Sequence, residues 1–393
     1  MEILSNVLIF YFGFNALYWF LFSFSGKFYR PRKVEAVPQG KAFNKIAVLI
    51  PAYKEDEVIA SVVRGNLAQD YPTEFFEIVV IADGFRSDTL EDLKQYPVRV
   101  IEVNFEQSTK VKALNFAIEA IGDQYDLAMI LDADNIMEKS CLSRMNALFV
   151  DQELRAVQGQ RMAKNDNNDM AVLDGLSEAI NNHIYRSGHL ALGFSCPLIG
   201  SGMAFRYRMV KRILSQMASV GGFDRELELR LLREGVKVLY DTKAITYDEK
   251  VQNSNNFYNQ RRRWISTQFV YLRKYFVEAI LLLFRDGNLS FFDNAVVRNS
   301  QLPRLLFLGF MFLFTALSAF VPYFGSFQAW AAIVGLTVLS VILAIPKSMM
   351  NRKLIFAMAL LPKTFFLMLK ALFSVKGANK KFIHTTHSSN DVK

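Results

Sequence analysis

Between residues 41 and 264, short apolar runs alternate with amphipathic stretches. No other feature of the chain constrains its fold so much. An apolar run of about four to eight residues bounded by turn formers reads as a strand buried on both faces, and the intervening stretches carry a helical period. The runs 46–50, 76–81, 98–103 and 128–131 are predicted strands. The stretches 55–69, 90–95 and 110–121 are predicted helices, the last with Ala113, Leu114, Ala117 and Ile118 on one face. Strand–helix alternation implies an α/β domain with a mostly parallel sheet covered by helices. Ligands of such sheets bind beyond the carboxyl ends of the strands.

Polar clusters stand at those ends. Pro51-Ala52-Tyr53-Lys54-Glu55 follows the first strand, Ala82-Asp83-Gly84 the second and Asp132-Ala133-Asp134-Asn135 the fourth. A single Asp there is often only a helix cap; three in order ask for more. Asp132 and Asp134 can share one hard cation with a phosphate ligand, and oxygen ligands favour Mg²⁺ or Mn²⁺. Such an ion neutralises a departing diphosphate. The plain alternative is a capped turn.

Further along, Gly200-Ser201-Gly202 is a glycine turn that lets a substrate approach the backbone, or simply a turn. Asp224 opens an acidic amphipathic helix running to Arg233 and closed by Gly235. It is either a cap or a general base kept ionised by the helix dipole. In Gln260-Arg261-Arg262-Arg263-Trp264, three arginines beside an indole can grip a diphosphate and stack on a ring. The alternative is a basic strip attracting anionic lipid.

Several classes drop out. There is no Gly-x-x-x-x-Gly-Lys-Ser/Thr loop and no dinucleotide glycine fingerprint, which argues against kinases, ATPases and dehydrogenases. No Cys/His cluster has zinc spacing, and His183 and His189 read as ordinary polar residues. The two cysteines, Cys141 and Cys196, exclude a disulfide scaffold and fit a reduced compartment. The net charge of +9 could serve nucleic acid, anionic lipid or a phosphorylated substrate. Because the basic residues gather beside apolar stretches and no RNA- or DNA-binding motif is present, nucleic acid is not an expected partner.

Those apolar stretches predict a membrane protein, and the mean hydropathy of +0.16 suits a catalytic body with a few spans. Residues 3–24 carry no charge and are long enough to cross a bilayer. Lys27, Arg30, Arg32 and Lys33 follow at once, so the next domain is expected to be cytoplasmic. A second and third span are predicted at 305–324 and 328–345, turned at Gly325-Ser326 and flanked by Arg298, Arg304, Lys347, Arg352 and Lys353. Residues 354–373 contain Pro362, Lys363 and Lys370 and are read as a kinked interfacial helix rather than a fourth span. Residues 269–284 are read as an amphipathic interface helix, with a core-facing helix as the alternative. The expected domains are an N-terminal transmembrane helix (1–26), a cytoplasmic catalytic domain (41–267), interfacial helices (268–300), a transmembrane hairpin (301–347), and an interfacial helix with a loose basic tail (348–393). The location implied is the inner cell membrane, with multiple passes.

Taken together, the clusters resemble the family 2 glycosyltransferases of GT-A fold, in the membrane-embedded branch that includes cellulose, hyaluronan and poly-N-acetylglucosamine synthases. The resemblance covers about residues 45–264, with its motifs in family order. It implies that Ala52, Tyr53 and Glu55 belong to the nucleotide-base pocket, that Asp83 lies near the nucleoside, and that Lys110, opening Lys-x-x-Ala-Leu-Asn, lies beside the donor. It makes Asp132 and Asp134 the metal-binding Asp-x-Asp, and the Gly200 turn part of the acceptor side. Asp224 matches the catalytic Asp, and Gln260, Arg263 and Trp264 match Gln-x-x-Arg-Trp. Phe223 departs from the family, which has Glu there; a one-residue slip in the alignment would make Glu226 the base. The implied reaction is a single inverting displacement on a UDP-linked sugar, without the covalent intermediate of retaining glycosidases. The acceptor is a growing polysaccharide, or alternatively a lipid. Three spans are few for a polymer pore unless protomers or a partner contribute, so a homo-oligomer and product export stay open. A non-catalytic nucleotide sensor is the reading that Phe223 alone would favour.

Overall fold

In the computed structural model the strands predicted at 46–50, 76–81 and 128–131 are buried on both faces, the first two running on to Tyr53 and Asp83, whereas the one predicted at 98–103 is only partly buried. The structure describes residues 2–34, 43–219, 221–321 and 324–378. Residues 41, 42 and 220 of the expected catalytic domain, two residues of the second expected span and the tail from residue 379 lie outside these.

Two compact units are formed. One comprises 30–166, 195–250 and 377–393; the other comprises 1–29, 167–194 and 251–376. The expected continuous domain 41–267 is therefore divided, with 167–194 and 251–267 belonging to the second unit.

The first unit is built on an eight-stranded sheet in the order β3-β2-β1-β4-β7-β6-β8-β5. Its strands are β1 (Ile46–Tyr53), β2 (Phe76–Asp83), β3 (Arg99–Val103), β4 (Leu127–Ile130), β5 (Ile136–Met137), β6 (Ala156–Ala163), β7 (Met203–Arg206) and β8 (Val238–Asp248). Ile46, Val48 and Ile50 of β1 pack with Ile59, Val62 and Val63 of helix Ile59–Leu67 and with Leu142 and Met145 of helix Cys141–Leu148. Helix Lys110–Ile121 packs against β1 and β2 and buries Val111, Leu114, Ala117 and Ile118. With both faces covered, every position of the strand must be apolar, which is why these runs do not alternate.

The expected mostly parallel sheet needs correction. β3, β2, β1 and β4 are parallel, but β7 runs antiparallel to both β4 and β6, and β5 antiparallel to β8. The sheet is mixed because the chain turns back at the Gly200 turn and enters β7 beside β4. The helix predicted at 55–69 starts only at Ile59, since Glu55 first closes a turn through the Val58 amide.

The pairing register positions the polar clusters. β1 and β2 stay paired to their last residues, Tyr53 opposite Asp83. β1 and β4 pair only as far as Leu49 opposite Ile130. Pro51, which cannot donate a ladder bond, falls where β1 has already lost β4 as a partner.

The second unit is helical. An aromatic cluster of Phe12, Trp19, Phe307 and Trp330 ties helix Glu2–Gly26 to helices Arg304–Phe320 and Phe327–Ala344. Two described helices, Ile3–Gly26 and Phe327–Ala344, are long and apolar enough to cross a membrane. The number rises to four if each of two bent pairs is one span: Leu289–Ser300 with Arg304–Phe320 (57°), and Arg352–Met358 with Leu361–Phe373 (53°). The second bend answers the kink expected at 354–373; Pro362 sits in the first turn of the new helix, where its missing N–H costs nothing. The boundary expected at 267/268 does not exist as a break, because one helix runs unbroken from Ser254 to Asp286.

Candidate active site

The first unit brings Ala52, Tyr53, Glu55, Asp83, Lys110, Asp132, Asp134 and Asp224 into one body; Gln260, Arg263 and Trp264 are carried by helix Ser254–Asp286 of the other. Ala52 and Tyr53 end β1 and Asp83 ends β2. Glu55 and Asp83 are buried. Between Tyr53 and Glu55 the backbone of Lys54 is left-handed (φ 54°), and its N–H donates to the Asp83 carbonyl at 3.0 Å. A side-chain-bearing residue held there is strained, which is common at ligand sites.

Asp132 and Asp134 sit in a tight turn just beyond β4, where the Asn135 N–H donates to the Asp132 carbonyl. The neighbouring glycine turn supports them. Ser201 Oγ accepts from the Asp132 N–H (2.9 Å) and from Asn135 Nδ2 (2.6 Å). The buried Gln158 side chain staples that turn, its Nε2 donating to the Ser201 carbonyl (2.9 Å) and its Oε1 accepting from the Ile199 N–H (3.0 Å). Gly202 has φ 63°, and a Cβ added there would lie 2.7 Å from Thr246 Oγ1, so only glycine fits. Neither Gln158 nor Ser201 was singled out by sequence reasoning. Ser201 lay within a quoted motif, whereas a lone Gln in an apolar strand carries no signal.

Electrostatically, the centre of the site is Lys110, the first residue of its helix. Its ammonium donates to Asp132 Oδ1 and to the Gly200 carbonyl (2.7 Å), and lies 4.7 Å from the Phe223 ring centroid. Asp224 is in the first turn of helix Phe223–Arg233, next to the same glycine turn: a Cβ on Gly200 would stand 3.6 Å from Asp224 Oδ2. Donor-side and acceptor-side candidates thus converge through Lys110 and Gly200. Glu226, the alternative base, is buried and ion-paired to Arg230 at 2.9 Å.

Asp134 is buried, and its Oδ2 accepts the Glu249 N–H at 3.0 Å. Among the described residues no three acidic, His or Cys side chains gather as a ready-made metal cage. Two hard carboxylates still fit Mg²⁺ or Mn²⁺, which keeps waters and takes phosphate oxygens rather than a full protein cage.

The three-arginine grip needs correction. Arg261 is buried, paired to Asp174 and stacked on Trp264 (4.2 Å) and Phe257 (4.9 Å). Arg262 donates to the carbonyls of Ser374 and Lys376. Both serve the packing of their own unit, and Trp264 remains exposed.

The chain is similar to known proteins. A probable glycosyltransferase, YdaM, of Bacillus subtilis (strain 168) is 24% identical over 246 residues, 59% of this chain and 57% of that protein. An N-acetylglucosaminyltransferase of Rhizobium meliloti (strain 1021) is 25% identical over 240 residues, 57% of this chain and 55% of that protein. The chain therefore spans little more than half the length of these curated relatives. The structure of the mannosyltransferase PcManGT from Pyrobaculum calidifontis, in complex with GDP-Man and Mn²⁺, superposes with a TM-score of 0.53 at 16% identity, covering 87% of this chain and 99% of that one. At such identity the likeness is one of fold, and it fits a mixed GT-A sheet. The profile described as "Glycosyltransferase like family 2" matches residues 44–267, more than half the chain and all of its sheet, so the chain belongs to that family.

Proposed function

We propose that the chain is an inverting hexosyltransferase that moves a sugar from a UDP-linked donor to a growing polysaccharide at the inner cell membrane, its catalytic body cytoplasmic. The observation that carries this reading is the meeting of Asp132, Lys110, Gly200 and Asp224 at the strand ends. This supports a donor side at Asp132 and an acceptor side at Asp224, next to one glycine turn.

Tyr53, Glu55 and Asp83 hold the nucleoside, with Ala52 leaving room for the base. Asp132 and Asp134 would hold Mg²⁺ or Mn²⁺, which supplies positive charge against the departing diphosphate. Lys110 adds charge on the donor side. Asp224 accepts the proton of the acceptor hydroxyl as that oxygen attacks the anomeric carbon, so an α-linked donor gives a β-linked product. The Arg230 partner of Glu226 supports Asp224 as the base. Gln260, Arg263 and the exposed Trp264 keep the roles that the family resemblance gives them, the indole stacking on a sugar face.

The proposed membrane plan takes helices Ile3–Gly26 and Phe327–Ala344 as spans. The basic residues just after the first of them support a cytoplasmic body. A lipid acceptor is the second reading, favoured by the small number of helices able to cross a membrane. The test is transfer from labelled UDP-sugars by purified protein with Mn²⁺, followed by linkage analysis. A β-linked product from an α-linked donor is expected; no transfer from any nucleotide sugar would leave the non-catalytic sensor as the better account.

A further inference from the structure

We propose that Lys110 holds the place of the divalent cation until the nucleotide arrives, and that Phe223 is a positioning residue that keeps it there. The inference rests on the functional reading above and adds an order of events to it: the metal enters with the nucleotide, not ahead of it.

Three contacts carry the argument. The Lys110 ammonium donates to Asp132 Oδ1, on the first carboxylate of the pair that would hold the metal. The same ammonium donates to the Gly200 carbonyl at 2.7 Å. Its open side faces the Phe223 ring at 4.7 Å, and that ring is itself buried. A ring face attracts a cation without competing as an anion. A carboxylate at this position would draw Lys110 away from Asp132 as a second anionic partner. Among the described residues Asp132 is the carboxylate that holds Lys110, and the Phe223 ring adds no second one, so the ammonium stays on it.

An ammonium and a divalent cation compete for one carboxylate and repel each other when close. A metal ion arriving alone therefore meets Asp132 already neutralised. A nucleoside diphosphate changes the balance twice: its oxygens give Lys110 another anion, and they complete the coordination that two carboxylates leave open. Lys110 then moves from carboxylate to phosphate as the metal takes its place.

The test uses the full chain in detergent and reads free Mn²⁺ by its paramagnetic resonance signal, with and without UDP. Thermal unfolding of each variant checks that it is folded. Wild type is expected to bind Mn²⁺ weakly alone and at least about tenfold more tightly with UDP, a factor worth about 1.4 kcal/mol. Lys110→Met should tighten binding of Mn²⁺ alone by about tenfold and shrink the UDP effect. Phe223→Leu, which keeps the site apolar without the ring, should tighten it by a smaller factor, and Phe223→Tyr should restore the wild-type value. A merely structural role for either residue would weaken Mn²⁺ binding, not strengthen it. The inference is overturned if Lys110→Met and Phe223→Leu, both folded, bind Mn²⁺ alone no more tightly than wild type while wild type still binds Mn²⁺ with UDP. If wild type binds no Mn²⁺ even with UDP, the functional reading falls and takes this inference with it.

Discussion

Asp224 is half-buried in the first turn of an eleven-residue helix whose preceding residue, Gly222, is left-handed and supplies no side-chain cap. Its carboxylate is therefore positioned by the backbone of that turn. Asp224→Asn keeps the shape and removes the basicity. Transfer should fall by about 10²–10⁴-fold, the usual worth of a general base, while UDP binding stays near wild type in a calorimetric titration. Retained transfer would move the base to Glu226 despite its Arg230 partner. Asp134→Ala acts differently: it should abolish Mn²⁺-dependent UDP binding measured in the same way, and binding that survives would place the metal elsewhere. At this scale the sequence was partly readable. Asp83, Asp132 and Asp134 stand at strand ends, and an acid after an apolar run is visible in the chain itself. The Lys110–Phe223 contact was not visible, because it joins residues far apart in sequence and nothing in the chain says that the two meet. Gln158 was silent for the same reason, since its role is defined by the loop it staples.

Strand β8 shows what a regular element gives up to serve the site. Its pairing with β6 jumps from Gly159 opposite Asp241 to Gln160 opposite Ile245, a bulge that re-aims the strand end. Asp241, fully buried, closes the bulge by accepting the Lys243 and Ala244 N–H groups, and the partly buried Arg144 pairs with it at 2.6 Å. Beyond the bulge, the Glu249 N–H reaches Asp134. Arg144→Met should leave a buried carboxylate without its counter-charge and cost about 3–5 kcal/mol. A lowered unfolding midpoint in detergent would register that cost, and an unchanged one would mean that water or another cation takes over. Gly159 has no such latitude, because a Cβ there would stand 2.5 Å from the Ala244 carbonyl oxygen. None of this could be read from composition. The β1, β2 and β4 runs were legible because burial on both faces forces a continuous apolar string. β7 is only four residues long, and nothing in Met203–Arg206 sets its direction, so the antiparallel half of the sheet was missed. Helix Ser254–Asp286 was cut in two on paper because its apolar content changes along its length while its hydrogen bonding does not.

For the whole molecule, the open quantity is how the chain disposes of its product, and that depends on how much of it is membrane. Among the described residues two helices are long and apolar enough to cross a membrane, and the bent pairs add at most two more. Arg304–Phe320 has 17 residues, about 25 Å of helix, which is near the lower limit for a bilayer core. These helices by themselves offer little wall for an aqueous pore. A polymer made here would either leave through an assembly of several chains or stay on the cytoplasmic side. A lipid acceptor needs no pore, since its hydroxyl or phosphate sits at the interface already. The two acceptors make different products from the same chemistry. A polysaccharide acceptor that stays bound through repeated transfers yields a ladder of lengths, and Trp264→Ala should shorten the ladder while sparing UDP release from the donor. A lipid acceptor yields one discrete glycolipid that partitions into organic solvent, and Trp264→Ala should then lower its amount without changing its size. Membranes containing the protein, incubated with the labelled UDP-sugar that gives transfer and resolved by size after organic extraction, separate the cases. We expect the ladder, in the aqueous phase. A single organic-soluble band would replace the polymer with the lipid acceptor and leave the site chemistry as it stands.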